Sequence, residues 1–176
     1  MKTINVEITG IAPLLQNRFP IEAHGHNISK VTKKVYVPDD EAKKCLYTRD
    51  DVIFQPAEHI YQSMIRAATD FKFSGKKTFK DVVTSCIAVE PEEIPLISDK
   101  PYEIDIRPVV IQRARVLKWR PKFNQWKLKF NILILDETNI SPANIKEILE
   151  KAGATKGIGD YRPRFGRFTI TSWNVS

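Results

Sequence analysis

An α+β chain with an antiparallel sheet is what three features of this sequence predict. Segments alternating polar and apolar residues stand near both ends and in the middle of the chain. Between them lie two segments with apolar residues at three- and four-residue spacing, and Gly and Pro mark many of the joins. With 176 residues the chain has the length of one domain, spanning residues 1–176, with a sizeable core.

The first strand is expected over Thr3–Thr9, where Ile4, Val6 and Ile8 alternate with polar neighbours until Gly10 and Pro13 break the run. Gln16–Asp51 has no sustained period and reads as an insertion, with a short hairpin around Val35 to Val37. Pro56 opens a helix with Ile60, Met64, Ile65 and Ala68 on one face. A second insertion covers about residues 72–101; Thr78–Val89 fits a short helix or a strand end, and Pro91–Pro101 reads as an irregular linker. Two long strands follow, Tyr102–Trp119 and Gln125–Leu135, joined as a hairpin through Arg120–Asn124. Ser141 and Pro142 start a second helix as N-cap and first residue, and Gly153 is expected to end it as a left-handed cap. Arg167–Asn174 closes the chain as a strand. The order strand, helix, strand, strand, helix, strand predicts a ferredoxin-like core, as in RNA-recognition modules, with two insertions. In such modules helices cover one sheet face, and the other stacks bases on aromatic side chains.

Composition narrows the functional classes. A charged fraction of 28% and a hydrophobic fraction of 42% fit neither a disordered chain nor a membrane protein. The N-terminal residues alternate like a strand and lack the apolar centre of a signal peptide, so a cytoplasmic location is expected. Cys45 and Cys86 lack the spacing of a zinc knuckle and read as buried thiols.

The net charge of +7 points to an anionic partner, and its distribution points more sharply. From Arg107 to Lys129 the chain carries eight basic residues: Arg107, Arg113, Arg115, Lys118, Arg120, Lys122, Lys127 and Lys129. It has no acid in that stretch, whereas Glu90–Asp105 is acidic. An electrically lopsided molecule follows, with the acidic segment of one protomer meeting basic residues of the next in a head-to-tail array. Trp119 and Phe123 flank the basic turn as candidate stacking residues, while Trp126, Phe130 and Phe168 read as core.

The sharpest local motif is Gly157-Ile-Gly159-Asp-Tyr161-Arg162-Pro-Arg164-Phe165-Gly166-Arg167. Glycines permit close approach to a phosphate, and Arg162, Arg164 and Arg167 supply forked, charge-assisted donors. Tyr161 and Phe165 suit either loop packing or base stacking. The motif resembles the glycine-rich loop of the repeat-associated (RAMP) RNA-binding superfamily, which includes the backbone and processing subunits of CRISPR effector complexes. Residues 8 to 19 are similar to that family's first strand and following turn, and residues 52 to 66 to its strand, Pro, small-residue and helix segment. The resemblance is nearest to the non-catalytic backbone subunits and extends to compact phage or mobile-element relatives in bacterial or archaeal cells. It implies a ferredoxin-like core, assembly along a guide RNA, and a backbone-binding track of Asn17, Arg18, the helix start at Glu58 and His59, and residues 162 to 167.

The expected partner is therefore single-stranded RNA or DNA, RNA before DNA, bound by a homo-oligomer or with related subunits and without a membrane, cofactor or metal. No nucleophile elbow, P-loop or zincin helix is present. A metal-independent ribonuclease using His24, His26 or His59, and a mimic of a CRISPR subunit acting by protein interaction, are the rival readings. His24-Gly-His26 lacks further metal ligands at sensible spacing, and His59 within a helical pattern reads as structural.

Overall fold

The computed structural model describes residues 2–19, 37–111 and 113–176. These form an α+β fold with a mainly antiparallel architecture. The elements are β1 (Lys2–Gly10), β2 (Leu14–Leu15), α1 (Pro38–Lys44), β3 (Thr48–Arg49), β4 (Val52–Pro56) and α2 (Ala57–Ala68). Next come β5 (Lys72–Ser74), β6 (Lys77–Thr78), α3 (Lys80–Cys86), β7 (Ile87–Glu90) and β8 (Glu93–Ile97). The chain continues through β9 (Glu103–Ile111), β10 (Ala114–Phe123), β11 (Lys127–Ile134), α4 (Pro142–Thr155) and β12 (Phe168–Val175).

The largest sheet runs β12-β1-β11-β8-β4-β3, and β7 also pairs with β11. The period-two pattern sorts its faces. Ile4, Val6 and Ile8 of β1 and Leu128, Phe130, Ile132 and Ile134 of β11 are buried in one core with Ile60 and Met64 of α2 and Ile145, Ile148 and Leu149 of α4. Asn5, Glu7, Thr9, Lys127, Lys129 and Asn131 take the opposite face. The helix α4 begins as expected: the Ser141 hydroxyl accepts from Asn144 N–H at 3.2 Å, and the Asn144 side chain accepts from Ser141 N–H at 3.2 Å.

Several expectations are corrected. Tyr102–Trp119 is not one strand: β9 and β10 fold back on each other, with Ile111 facing Ala114 and Arg113 at φ +68° entering β10. β10 pairs with β9 and β2, while β11 joins the large sheet, so Arg120–Asn124 carries the chain between sheets and is no hairpin connection. A polar and apolar alternation reports a strand but not its partner, which is why the two are indistinguishable in sequence. Pro91–Pro101 contains β8, which pairs with β4 and β11. Thr78–Val89 supplies both a short helix, α3, and a strand, β7. Gly153 lies within α4, where a Cβ would stand 2.3 Å from the Phe168 carbonyl oxygen, so it allows helix and strand to touch. Gly157, at φ +69°, is the residue that turns the chain out of the helix, donating to the Ala152 carbonyl at 2.9 Å. Of the expected hairpin around Val35 to Val37 only Val37 is described, and it stands at the start of α1; the rest lies outside the described residues, as do His24 and His26. No helix among the described residues is long and apolar enough to cross a membrane.

Candidate nucleic-acid interface

The glycine-rich segment is knitted to the turn after β1. Asp160 N–H donates to Leu15 O at 2.8 Å, Gly166 N–H to Pro13 O at 2.8 Å, and Ile158 N–H to Gly166 O at 3.0 Å. A Cβ on Gly159 would meet Leu15 O at 2.5 Å, one on Gly157 would meet Phe165 O at 2.8 Å, and one on Gly166 would meet Ile158 O at 1.8 Å. The close approach these glycines permit is to the protein's own backbone, and three loop amides are already engaged there. This corrects the expectation that Gly157, Gly159 and Gly166 open room for a phosphate; they set the position of the arginines between them.

Those arginines remain available. Arg162 is half-buried, Arg164 and Arg167 are exposed, and none of the three ion-pairs with a carboxylate among the described residues. Burial first, and then the nearby Arg66, hold the Arg162 guanidinium below its ordinary pKa. Arg66 lies on α2 seven residues after His59, two turns along the same helix face. Arg162 also depresses His59, although burial is the larger cause, so the imidazole titrates below its ordinary value of 6.5 and is neutral at pH 7.

A buried chain of amides fixes the tautomer of His59. Tyr47 N–H donates to Gln16 Oε1 at 3.1 Å, which turns the Gln16 amide nitrogen toward Phe54 O at 2.8 Å and Gln55 Oε1 at 3.1 Å. Gln55 is thereby oriented with its own NH2 group donating to His59 Nδ1. The ring proton accordingly sits on Nε2, leaving a neutral donor rather than a free base. Tyr47 packs edge-on against His59, with centroids 5.5 Å apart.

Asn17 and Arg18 join this neighbourhood through Cys45. Arg18 N–H donates to Cys45 O at 2.9 Å, and the Cys45 thiol points to Asn17 Oδ1 at 3.6 Å. Arg18 also draws down the Tyr47 hydroxyl's pKa, which burial more strongly raises. The turn after β2, the start of α2 and the glycine-rich loop are thus brought to one place.

Other predicted residues are not equivalent to these. Arg120 is 6% exposed and ion-pairs with Asp160 at 2.6 Å, so it braces the loop from inside the protein. Lys122 pairs with Glu103 at 2.9 Å, and Lys129 with Glu7 at 3.1 Å. Phe165 is buried, and the Arg107 guanidinium lies 4.7 Å from its ring centre and 5.2 Å from that of Tyr161. Phe165 therefore packs the loop, while Tyr161 stays half exposed. Phe123 is buried against Tyr102 and presents no stacking surface. Trp126, Phe130 and Phe168 are core, as expected. Trp119 is half-buried, with its carbonyl facing the Cys45 thiol at 3.7 Å. Lys118 is half-buried opposite Arg107, and Arg113 and Arg115 are exposed farther along the β9–β10 arm.

The expected separation of charge is also corrected. Asp105 grips Arg107 at 2.7 and 3.0 Å, Glu103 holds Lys122, and Glu93 pairs with Arg49 at 2.7 Å. Part of the acidic segment is folded against basic residues of the same molecule. Sequence reading missed Arg66, Gln16, Gln55, Tyr47 and Asp160. Only Arg66 had a visible signal, its seven-residue spacing from His59.

No family model and no curated protein matches the chain. Among solved structures, it is similar to a chain in the cryo-EM structure of the Type III-B Cmr-beta bound to cognate target RNA. The TM-score is 0.60 at 10% identity, covering 99% of this chain and 60% of that one. The two chains share a fold. The present chain spans about three-fifths of that relative's length.

Proposed function

We propose that this protein binds single-stranded nucleic acid, RNA before DNA, without cleaving it, on a RAMP-like chain whose core is ferredoxin-like. In this reading β1, α2, β7, β11, α4 and β12 are the six core elements, with the sheet order β12-β1-β11-β7. The observation that carries the function is the convergence of three elements: the loop braced against Pro13 and Leu15 carries Arg162, which bears no ion-paired carboxylate among the described residues, feels the charge of Arg66 on α2 and acts in turn on the His59 imidazole at the start of that helix. Like charges on one surface with no internal counter-ion favour an anion, and a phosphodiester offers two unesterified oxygens to forked donors. The fold shared with a chain of an RNA-bound assembly supports RNA as that polyanion. Arg18, Arg164 and Arg167 extend the track.

The same geometry supports binding over cleavage. With Nδ1 accepting from Gln55 and the proton on Nε2, the neutral ring would have to give up the Gln55 bond to take a proton from a ribose hydroxyl, which favours binding over cleavage. The test is a titration of matched single-stranded RNA, single-stranded DNA and duplex across a salt series. Single-strand affinity should fall with salt at a log–log slope of about −0.7 per phosphate neutralised. Equal affinity for duplex, or a slope near zero, overturns the reading. End-labelled RNA held in EDTA should stay intact, and cleavage that disappears in His59→Gln would establish the ribonuclease instead.

A further inference from the structure

The strands at the two ends of the large sheet are built differently. β3 is a two-residue edge strand whose Arg49 is ion-paired across to Glu93. β12 is eight residues long, contains no charged residue and no proline, and among the described residues pairs on one side only, with β1. Long edges of this kind invite pairing, and charge or proline is the usual guard against it. At its start the strand is covered, because Gly153 of α4 lies against the Phe168 carbonyl. Among the described residues the open stretch therefore begins at Thr169.

The order of faces along β12 is a palindrome. The register with β1 shifts between Glu7 and Ile8, so that Ile8 faces Ile170 while Glu7 faces Ser172. Ile170 and Trp173 pack on the core side. Thr171 bonds Thr9 at 3.2 Å and Glu7 Oε1 at 3.1 Å on the other face, where Asn174 reaches Ser172 at 3.3 Å. The sequence from 169 to 174 thus reads out, in, out, out, in, out. Laid antiparallel on itself, it sets Thr169 against Asn174, Ile170 against Trp173, and Thr171 against Ser172, each pair on a common face. In a regular strand this register would put every side chain against one of opposite face. A bulge can turn an edge away from partners; here it is what makes the strand match its own copy.

We propose that a second copy of this chain pairs antiparallel with the β12 edge, giving a two-fold symmetric dimer with a continuous sheet. Such an interface is isologous, and with no charge in the strand it opposes no like charges at its centre. Val175, 47% exposed on the core-facing side, comes to lie beside the partner's covered strand start. The pairing differs from a head-to-tail array: it closes at two and needs no nucleic acid.

Sedimentation velocity of the full chain without nucleic acid, up to about 100 µM, should show a concentration-dependent dimer and nothing larger. Thr169 and Asn174 are exposed, so T169K/N174K should keep the native circular dichroism while weakening self-association at least about tenfold by opposing lysines. Mixing it with T169E/N174E should restore a heterodimer. Oxidising T169C/N174C should yield a covalent dimer, which reads the register even where the lysine variant misfolds. A native protein that stays monomeric at the highest concentration, a lysine variant that associates as strongly as the native chain, or a cysteine variant that gives no cross-linked dimer overturns the proposal.

Discussion

The face carrying Arg66 and Arg162 and the open face of the large sheet look alike in sequence and behave differently in the fold. Both are basic and both border strands. On the open face, Lys129 is tied to Glu7, whose carboxyl is held below the ordinary carboxylate range by hydrogen bonds from Lys129 and then Thr171. That face presents Asn5, Thr9, Asn131, Thr169 and Thr171, and no aromatic platform among the described residues. On the other, Arg162 feels the charge of Arg66 and has no ion-paired carboxylate among the described residues. The difference teaches that basic charge along a chain stays open to an outside anion only where the fold leaves it without an internal counter-ion.

The largest effect should come from reversing charge on the two faces in turn. R66E/R162E should weaken single-strand binding about 10- to 100-fold and reduce the salt slope by about 0.7 for each phosphate no longer neutralised. Lys129→Glu should change affinity less than about threefold, because a lysine paired with Glu7 contributes little to a second partner. The reverse ranking, measured by fluorescence anisotropy, would move the interface to the sheet.

Next is the loop that positions the arginines. Gly166→Ala should lower stability by about 2 kcal/mol or more, since a left-handed φ is compounded by a methyl carbon 1.8 Å from the Ile158 carbonyl oxygen. Gly75→Ala, also at positive φ but with open space around it, should cost only about 1 kcal/mol. Thermal denaturation of the pair separates packing from backbone strain; equal losses would mean that the loop is not braced as described.

The smallest effect is a pH dependence. His59 is depressed by burial and by Arg162, so its contribution to stability is fully present above about pH 6.5 and is lost as the pH falls through the lower folded-state value. The slope from this one group is at most about 1.4 kcal/mol per pH unit. His59→Gln should flatten the stability profile between pH 7 and 5. A phosphate at the site would raise the His59 pKa and make binding tighten over the same fall in pH. No change in either profile would place His59 outside the site.

Periodicity and turn chemistry are local, and what depended on them was legible. The alternation of Ile4, Val6 and Ile8, the stripe of Ile60 and Met64, and the Ser141 cap each act within a few residues of themselves, and the corresponding elements formed. The gathering of Asn17, Arg18, His59 and the glycine-rich loop followed from a resemblance in the order of motifs. Partnership, by contrast, acts between residues far apart in the chain. Whether Tyr102–Trp119 paired with itself or with Gln125–Leu135, whether Arg120 faced solvent or Asp160, and whether the glycines admitted a phosphate or Leu15 were decided only when the chain closed. A strand's side-chain period is the same whichever strand it meets, and a guanidinium carries the same charge before and after a carboxylate finds it. Composition and spacing therefore determined which elements and charges this protein has, and tertiary packing determined which of those charges remain for a ligand.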